Sequence, residues 1–412
     1  MMKVFKVLFV TVVAIVFANC AGGGGGRRGN PPPVTTIFSM PHAMYGHQAT
    51  LLHNEDDVLL TGGFNIAGEP STRALIYDSF ARRFLSLSPL NSMHERRAGH
   101  QATYLNLGGT QAPLGSVLIT GGENLSFVQA DTESYDPILD DFLTQGLMIN
   151  DRRNHTATEL DCAGCSVDGY VLVAGGRDNF GILDTAELFN PRTGQFIALG
   201  DRLNIGRENH TATVLPDGRV LLAGGNTPLD VINSAETFDP LTLRFTPTLN
   251  SMGEPRQHHR ALLVGSRTLT SSDDAVLVVG GADDFDFVLN EADLFSPVFD
   301  EFEKNVDVML RARHRHTVTT LPDSFLSDSV VLGGFTTYDS FNLLDSDATA
   351  AAEYFRYDGL GSRPDGFFMT TTGMYLTRAM HTATLVDGGR GPIVVTGGVS
   401  LIGEPRTSGE TF

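Results

Sequence analysis

The run Arg207-Glu208-Asn209-His210-Thr211-Ala212-Thr213-Val214-Leu215-Pro216-Asp217-Gly218-Arg219-Val220-Leu221-Leu222-Ala223-Gly224-Gly225 decides the architecture. His210 to Leu215 is rich in Thr and Ala, which suits a strand packed where there is room only for small side chains. Pro216-Asp217-Gly218 is a tight-turn signal, because proline presets φ, aspartate bonds its own backbone and glycine accepts a left-handed conformation. Val220 to Ala223 is apolar on both faces, as a strand sandwiched between two neighbouring sheets must be. The Gly-Gly pair then allows conformations and close approaches that a Cβ forbids. Further on, Ala235-Glu236-Thr237-Phe238-Asp239-Pro240 reads as a third strand, stopped by Asp-Pro. Arg244 to Thr246 reads as a shorter, outermost fourth.

The same pattern recurs along the chain. Gly-Gly pairs close apolar runs at Gly62, Gly121, Gly175, Gly224, Gly280, Gly333 and Gly397, spaced 49 to 64 residues apart. Upstream of the pairs stand His47, His100, His155, His210, His259, His316 and His381. Seven residues before each His is an apolar anchor: Met40, Met93, Met148, Leu203, Met252, Met309 and Met374. Arg97, Arg152, Arg207, Arg256, Arg313 and Arg378 each precede a His by three residues. Four short apolar segments per period of about 50 residues predict an all-β, seven-bladed β-propeller with strands a to d running outward in each blade.

The ends fit a closed ring. The chain finishes at Gly409-Glu410-Thr411-Phe412, within strand c of the seventh repeat, so that repeat lacks a strand d. Val34 to Phe38 occupies the position that strand d holds before every other anchor. The amino terminus is therefore expected to complete the last blade.

The quoted run resembles a kelch repeat of the bacterial type, and the whole is similar to the propeller domain of galactose oxidase. The resemblance spans residues 34–412 and implies the fold strongly. It implies function weakly, because this fold carries both binding proteins and enzymes.

Composition narrows the remaining choices. Of 412 residues, 29 are Lys or Arg and 48 are Asp or Glu, giving a formal charge of −19. That balance argues against nucleic-acid binding, which needs a basic face to displace counterions. Lys3 and Lys6 precede the apolar run Val7 to Ala18, whose length as a helix falls well short of a ~30 Å hydrocarbon core. Residues 1–19 therefore read as a signal peptide. Phe17-Ala18-Asn19-Cys20 resembles the bacterial lipoprotein box, in which Cys20 would become the lipidated first residue, although Phe17 and Asn19 depart from its usual residues. The competing reading is cleavage after Ala18 and secretion without a lipid. Lipidation leaves an even number of cysteines. Residues 20–33, with five consecutive glycines and three prolines, read as a tether, and residues 34–412 as the propeller.

The repeated Arg and His residues admit two readings, a charged ring at a channel mouth or structural repeat positions, and the second is preferred. The first repeat has Met44 in place of the Arg and Leu75 in place of the acid that the others carry as Glu133, Glu187, Glu236, Asp293, Glu353 and Glu410. Joint absence is what a buried pair predicts, since losing one member of such a pair is far more damaging than losing both. Cys162 and Cys165 are expected to form a disulfide at a hairpin tip, because no second Cys pair completes a zinc site. Acidic loops around Asp283 and Asp339 match no calcium-loop spacing, so no metal and no cofactor is expected. The long insert 335–350 in repeat six offers Phe335, Tyr338, Asp339, Phe341 and Asp345 as a candidate contact patch.

These readings lead to a monomeric cell-envelope module that binds a protein or glycan and is held to a membrane through its lipid. The alternative is a carbohydrate-active enzyme of mutarotase or epimerase type. An oxidase is less favoured, since the resemblance implies a copper site with a Tyr-Cys crosslink, and the only Cys pair lies in a hairpin loop.

Overall fold

The computed structural model describes residues 36–412 except 53–55, 87–91, 266–273, 286, 322–327, 338–346, 359–364, 372, 387–391 and 401–403. The signal peptide, Cys20 and the tether lie outside the described residues. The described residues form seven four-stranded antiparallel sheets and contain no helix. In blade four, strand a is Thr211–Val214, b is Val220–Ala223, c is Ala235–Asp239 and d is Arg244–Pro247. Each strand a adjoins the next around the axis, and Thr382–Leu385 of blade seven adjoins Gln48–Leu51 of blade one. The sheets thus radiate from a closed inner ring.

Blade seven takes its outermost strand from the start of the described chain. Thr36–Ser39 pairs antiparallel with Ser408–Thr411, matching Thr36 to Thr411 and Phe38 to Gly409. Of the expected Val34 to Phe38, Thr36, Ile37 and Phe38 lie in this strand, while Val34 and Thr35 lie outside the described residues. Gly409 helps set this register, because a Cβ there would lie 2.1 Å from the Phe38 ring. Phe38 also stacks on Tyr77 of blade one, with ring centroids 4.7 Å apart. The closing strand therefore fastens the seventh blade to the first.

Apolar packing is divided among the junctions between blades. Leu172, Ala174 and Leu188 of blade three share one buried cluster with Val220, Leu222 and Phe238 of blade four. Each of the other six junctions has its own cluster. Strand b is buried along its length in blade four, as its two-sided apolar sequence requires. In six blades the aromatic of strand c faces one on strand d at 5.0–5.2 Å, as Phe238 faces Phe245.

The Gly-Gly pair works as the repeat implies. Gly224 and Gly225 have φ of 61° and 95°. A Cβ on Gly224 would lie 2.6 Å from the Arg256 carbonyl oxygen of the next blade, and one on Gly225 2.5 Å from that of Glu208. A side chain at either position would collide with backbone.

Candidate functional site

Strand b ends and strand a begins on the same face, so the loops joining b to c and d to the next a surround one mouth of the central channel. The repeated Arg residues lie beneath this face. Arg207 is buried and gives Nη2 to Glu236 Oε1 at 2.8 Å. Its Nη1 donates to the carbonyls of Gly224 and Ser234, both at 2.9 Å. Arg97, Arg152, Arg256 and Arg378 reach Glu133, Glu187, Asp293 and Glu410 at 2.6–2.9 Å, and Arg313 reaches Glu353. In every one of these six blades Nη1 also holds the carbonyl of the first glycine, at 2.7–3.0 Å. Burial pulls the Arg207 pKa below its usual value despite the adjacent Glu236.

The acid has a second duty that sequence reasoning missed. In five blades its other oxygen accepts the backbone N–H of the residue after the apolar anchor, from His94, Ile149, Asn204, Leu310 and Tyr375 at 2.6–2.8 Å, and in blade five Asp293 Oδ2, which already takes Arg256, also accepts the Gly253 N–H at 3.2 Å. Blade one has Pro41 at that position, which has no N–H to give. Met44 and Leu75 sit there in one buried apolar cluster. Blade one therefore lacks the cation, the anion and the anion's second donor together.

The seven repeated His residues are buried, and six of them place Nε2 on a hydroxyl of the preceding blade while Nδ1 has no partner. His100 and His155 meet Thr61 and Thr120, at the end of strand b in the preceding blade, at 3.0 and 2.8 Å. His210, His259 and His381 meet Thr156, Thr211 and Thr317, at the start of the preceding strand a, at 3.0–3.1 Å. His47 meets both kinds of hydroxyl, Thr382 and Thr396. Burial, then the neighbouring Arg, lowers the pKa of His47, His100 and His210 to about 3. His316 departs from the pattern, with both ring nitrogens buried and unpartnered.

The mouth is laced by backbone hydrogen bonds between the residues just before each His. They run from Gly46 N to Met380 O, then through Arg315, His258, Asn209 and Asn154 to Gly99 O, at 2.9–3.4 Å. All seven residues have φ of 51–65°. Gly and Asn tolerate this region, whereas other residues pay about 1–3 kcal/mol there. His258, Arg315 and Met380 adopt it nonetheless, and Arg315 Nη2 lies 2.8 Å from His258 Nε2. His314 Nε2 lies 3.0 Å from the Thr337 carbonyl oxygen. These residues break the repeat in blades five to seven, and aligning the seven copies on their His exposes them.

The expected patch in blade six needs correction at Phe335. That side chain is fully buried, and its backbone bridges His314 and Ala348. It packs in a cluster with Tyr45, Ala348, Ala379 and Val399. The residue after Gly-Gly looks like the start of a loop, but it still pairs with the chain entering strand a. Tyr338, Asp339, Phe341 and Asp345 lie outside the described residues. Exposed apolar side chains instead crown the b–c loops of blades one to five: Ile66, Phe127, Phe180, Leu229 and Phe285, with Phe180 94% exposed. Cys162 and Cys165 are joined to each other beyond the end of strand a in blade three. Asp283 accepts the N–H groups of Phe285 and Phe287 in its own loop, at 2.8 and 3.0 Å, and Asp284 accepts that of Val231 in the loop of the preceding blade.

A Kelch motif matches residues 160–201. A solved structure of a fungal alcohol oxidase of the AA5 family, in complex with copper, superimposes with a TM-score of 0.69 at 16% identity. It covers 92% of this chain and 75% of the other. No curated protein matches the chain. The chain carries a Kelch motif and folds as a seven-bladed β-propeller. The described residues do not fit a copper centre of the crosslinked kind: their two cysteines are bonded to each other, and no group of three or more His, Cys, Asp or Glu is placed to hold a metal ion.

Proposed function

We propose that this chain is an extracytoplasmic, lipid-anchored propeller that binds a glycan or a protein partner on the face carrying the b–c loops. The supporting observation is the division of labour between frame and surface. The repeated Arg, His and acidic residues are buried in the frame, while large apolar side chains stand at successive loop tips, with Leu229 88% and Phe285 78% exposed. A rigid ring holding such tips in fixed relation displays a binding surface without needing chemistry. Isolated exposed apolar residues are ordinary, but a run of them around one rim is a feature of interaction sites. A glycan array paired with a screen of secreted and surface proteins tests this reading. The intact protein is expected to retain a ligand that Phe180→Ser with Phe285→Ser releases at least tenfold more readily. Equal retention by the double variant would remove the loop face from the account.

A carbohydrate-active enzyme is the second reading, favoured by the strained His258 and Arg315 pair at the channel mouth. Sugar turnover above background in the same samples would replace the first reading with this one. The anchor is tested separately. Cys20→Ser is expected to move the protein from the membrane fraction to the soluble fraction and to abolish incorporation of labelled fatty acid. Unchanged partitioning would favour the unlipidated, secreted form.

A further inference from the structure

The strands a form the inner ring, and reading round it their first residues are Gln48, Gln101, Thr156, Thr211, Arg260, Thr317 and Thr382. Six are uncharged and one is a cation. Arg260 spends one donor on the frame, its Nε giving to the His316 carbonyl at 2.9 Å. Gln48 makes the equivalent bond, from Nε2 to the His100 carbonyl at 3.1 Å. A neutral amide therefore satisfies the structural need at this position. An arginine brings four further N–H donors and a permanent charge.

Nothing described in the protein uses those donors. No carboxylate pairs with Arg260, in contrast to the six buried Arg residues of the frame. The residue is exposed on the inner ring, and the protein packed around that ring lowers its pKa by desolvation. The same substitution removes the hydroxyl that His316 would otherwise meet. Blade five has Arg260 and Val279 at the two places where one or another of the other blades supplies threonine, and both His316 ring nitrogens are left buried without a partner. One junction out of seven thus combines a lone guanidinium with a repeated His whose Nε2 also lacks a partner, next to the strained His258 and Arg315.

We propose that the central channel binds a small carboxylate on the Nη1 and Nη2 edge of Arg260. A planar carboxylate matches the guanidinium fork and can accept two parallel hydrogen bonds. The carboxylate comes either from a free small acid or from an acidic sugar. This site is separate from the loop-tip face and stands whether or not that face binds anything.

Calorimetric titration of the full mature protein tests the site with acetate as the free acid, glucuronate as the acidic sugar and glucose as the uncharged control. Saturable binding of at least one carboxylate is expected, with none for glucose. Glucuronate binding with acetate silent identifies an acidic sugar as the source, and the reverse identifies a free acid. Arg260→Gln, which restores the residue of blades one and two, should weaken binding at least tenfold with little change in melting temperature. Arg260→Lys keeps the charge without the fork, and it should fall between the two; it serves as the test if the glutamine variant fails to fold. The proposal is overturned if neither carboxylate binds, if glucose binds as well as glucuronate, or if the variants bind like the parent protein.

Discussion

Arg207→Ala is expected to lower the unfolding free energy by about 3–5 kcal/mol, the usual result of stripping one member from a buried ion pair. The substitution leaves Glu236 buried, with only the backbone and side-chain N–H groups of Asn204 as donors, at 2.8 and 2.9 Å. It also releases the Gly224 carbonyl that Arg207 holds. In a chain of this size the change corresponds to a fall in Tm of roughly 5–10 °C by calorimetry. Blade one shows how the same place is filled without charge. Arg207→Met with Glu236→Leu copies Met44 and Leu75 and should recover about half of the loss. It leaves the Asn204 N–H without its acceptor, so the double variant stays short of the parent. Adding Asn204→Pro copies Pro41 and removes that donor. The triple variant is expected to be the most stable of the three. If it melts no higher than Arg207→Ala, the ion pair is not what the blade depends on.

This series also marks how far the sequence could be read. Strand order, the seven-fold count and the borrowed outer strand were legible because each rests on a local pattern repeated in register. The Arg and acid pairing was legible through its absence from blade one. Pro41 carried the same information, but its meaning depends on a backbone N–H, which no side-chain pattern displays. The partners of the His ring were hidden for another reason. Each His bonds a hydroxyl of the preceding blade, and that hydroxyl alternates between the start of strand a and the end of strand b, as Thr156 and Thr120 show. Arg260 and His258 were visible as departures from the repeat, but their significance is geometric. Only a closed ring brings blade five's strand a to the same axis as the six uncharged ones. Phe335 was misread because a loop boundary was inferred from Gly-Gly, whereas the chain continues one residue further in pairing with its neighbour.

The His ring should make the fold acid-labile in a window well above that of ordinary carboxylate titration. In the unfolded chain a histidine takes up its proton near pH 6.5. In the native ring, desolvation holds His47, His100 and His210 neutral down to about pH 3, and the same cause holds His155, His259, His316 and His381 well below their usual value. Between these limits the unfolded state binds more protons than the native one, so stability rises with pH across the interval. Stability is fully present above about 6.5 and declines as pH falls toward 3. At pH 5 His47, His100 and His210 each forfeit about 2 kcal/mol, roughly 6 kcal/mol together, and the other four add to the loss in the same direction. That is comparable with the entire stability of a typical domain. Calorimetric Tm should therefore be level from pH 8 to 7, begin to fall near 6.5 and collapse between pH 6 and 4.5. With no Trp in the chain, calorimetry or far-ultraviolet dichroism is the better monitor of unfolding. His210→Gln keeps an amide donor near Thr156 and should reduce the proton uptake on unfolding at pH 5 by about one. A Tm that stays level from pH 7 to 5, or native imidazole resonances assigned to the seven ring histidines that titrate near 6.5, would show that the ring is hydrated and that its histidines do not hold the blades together as neutral groups.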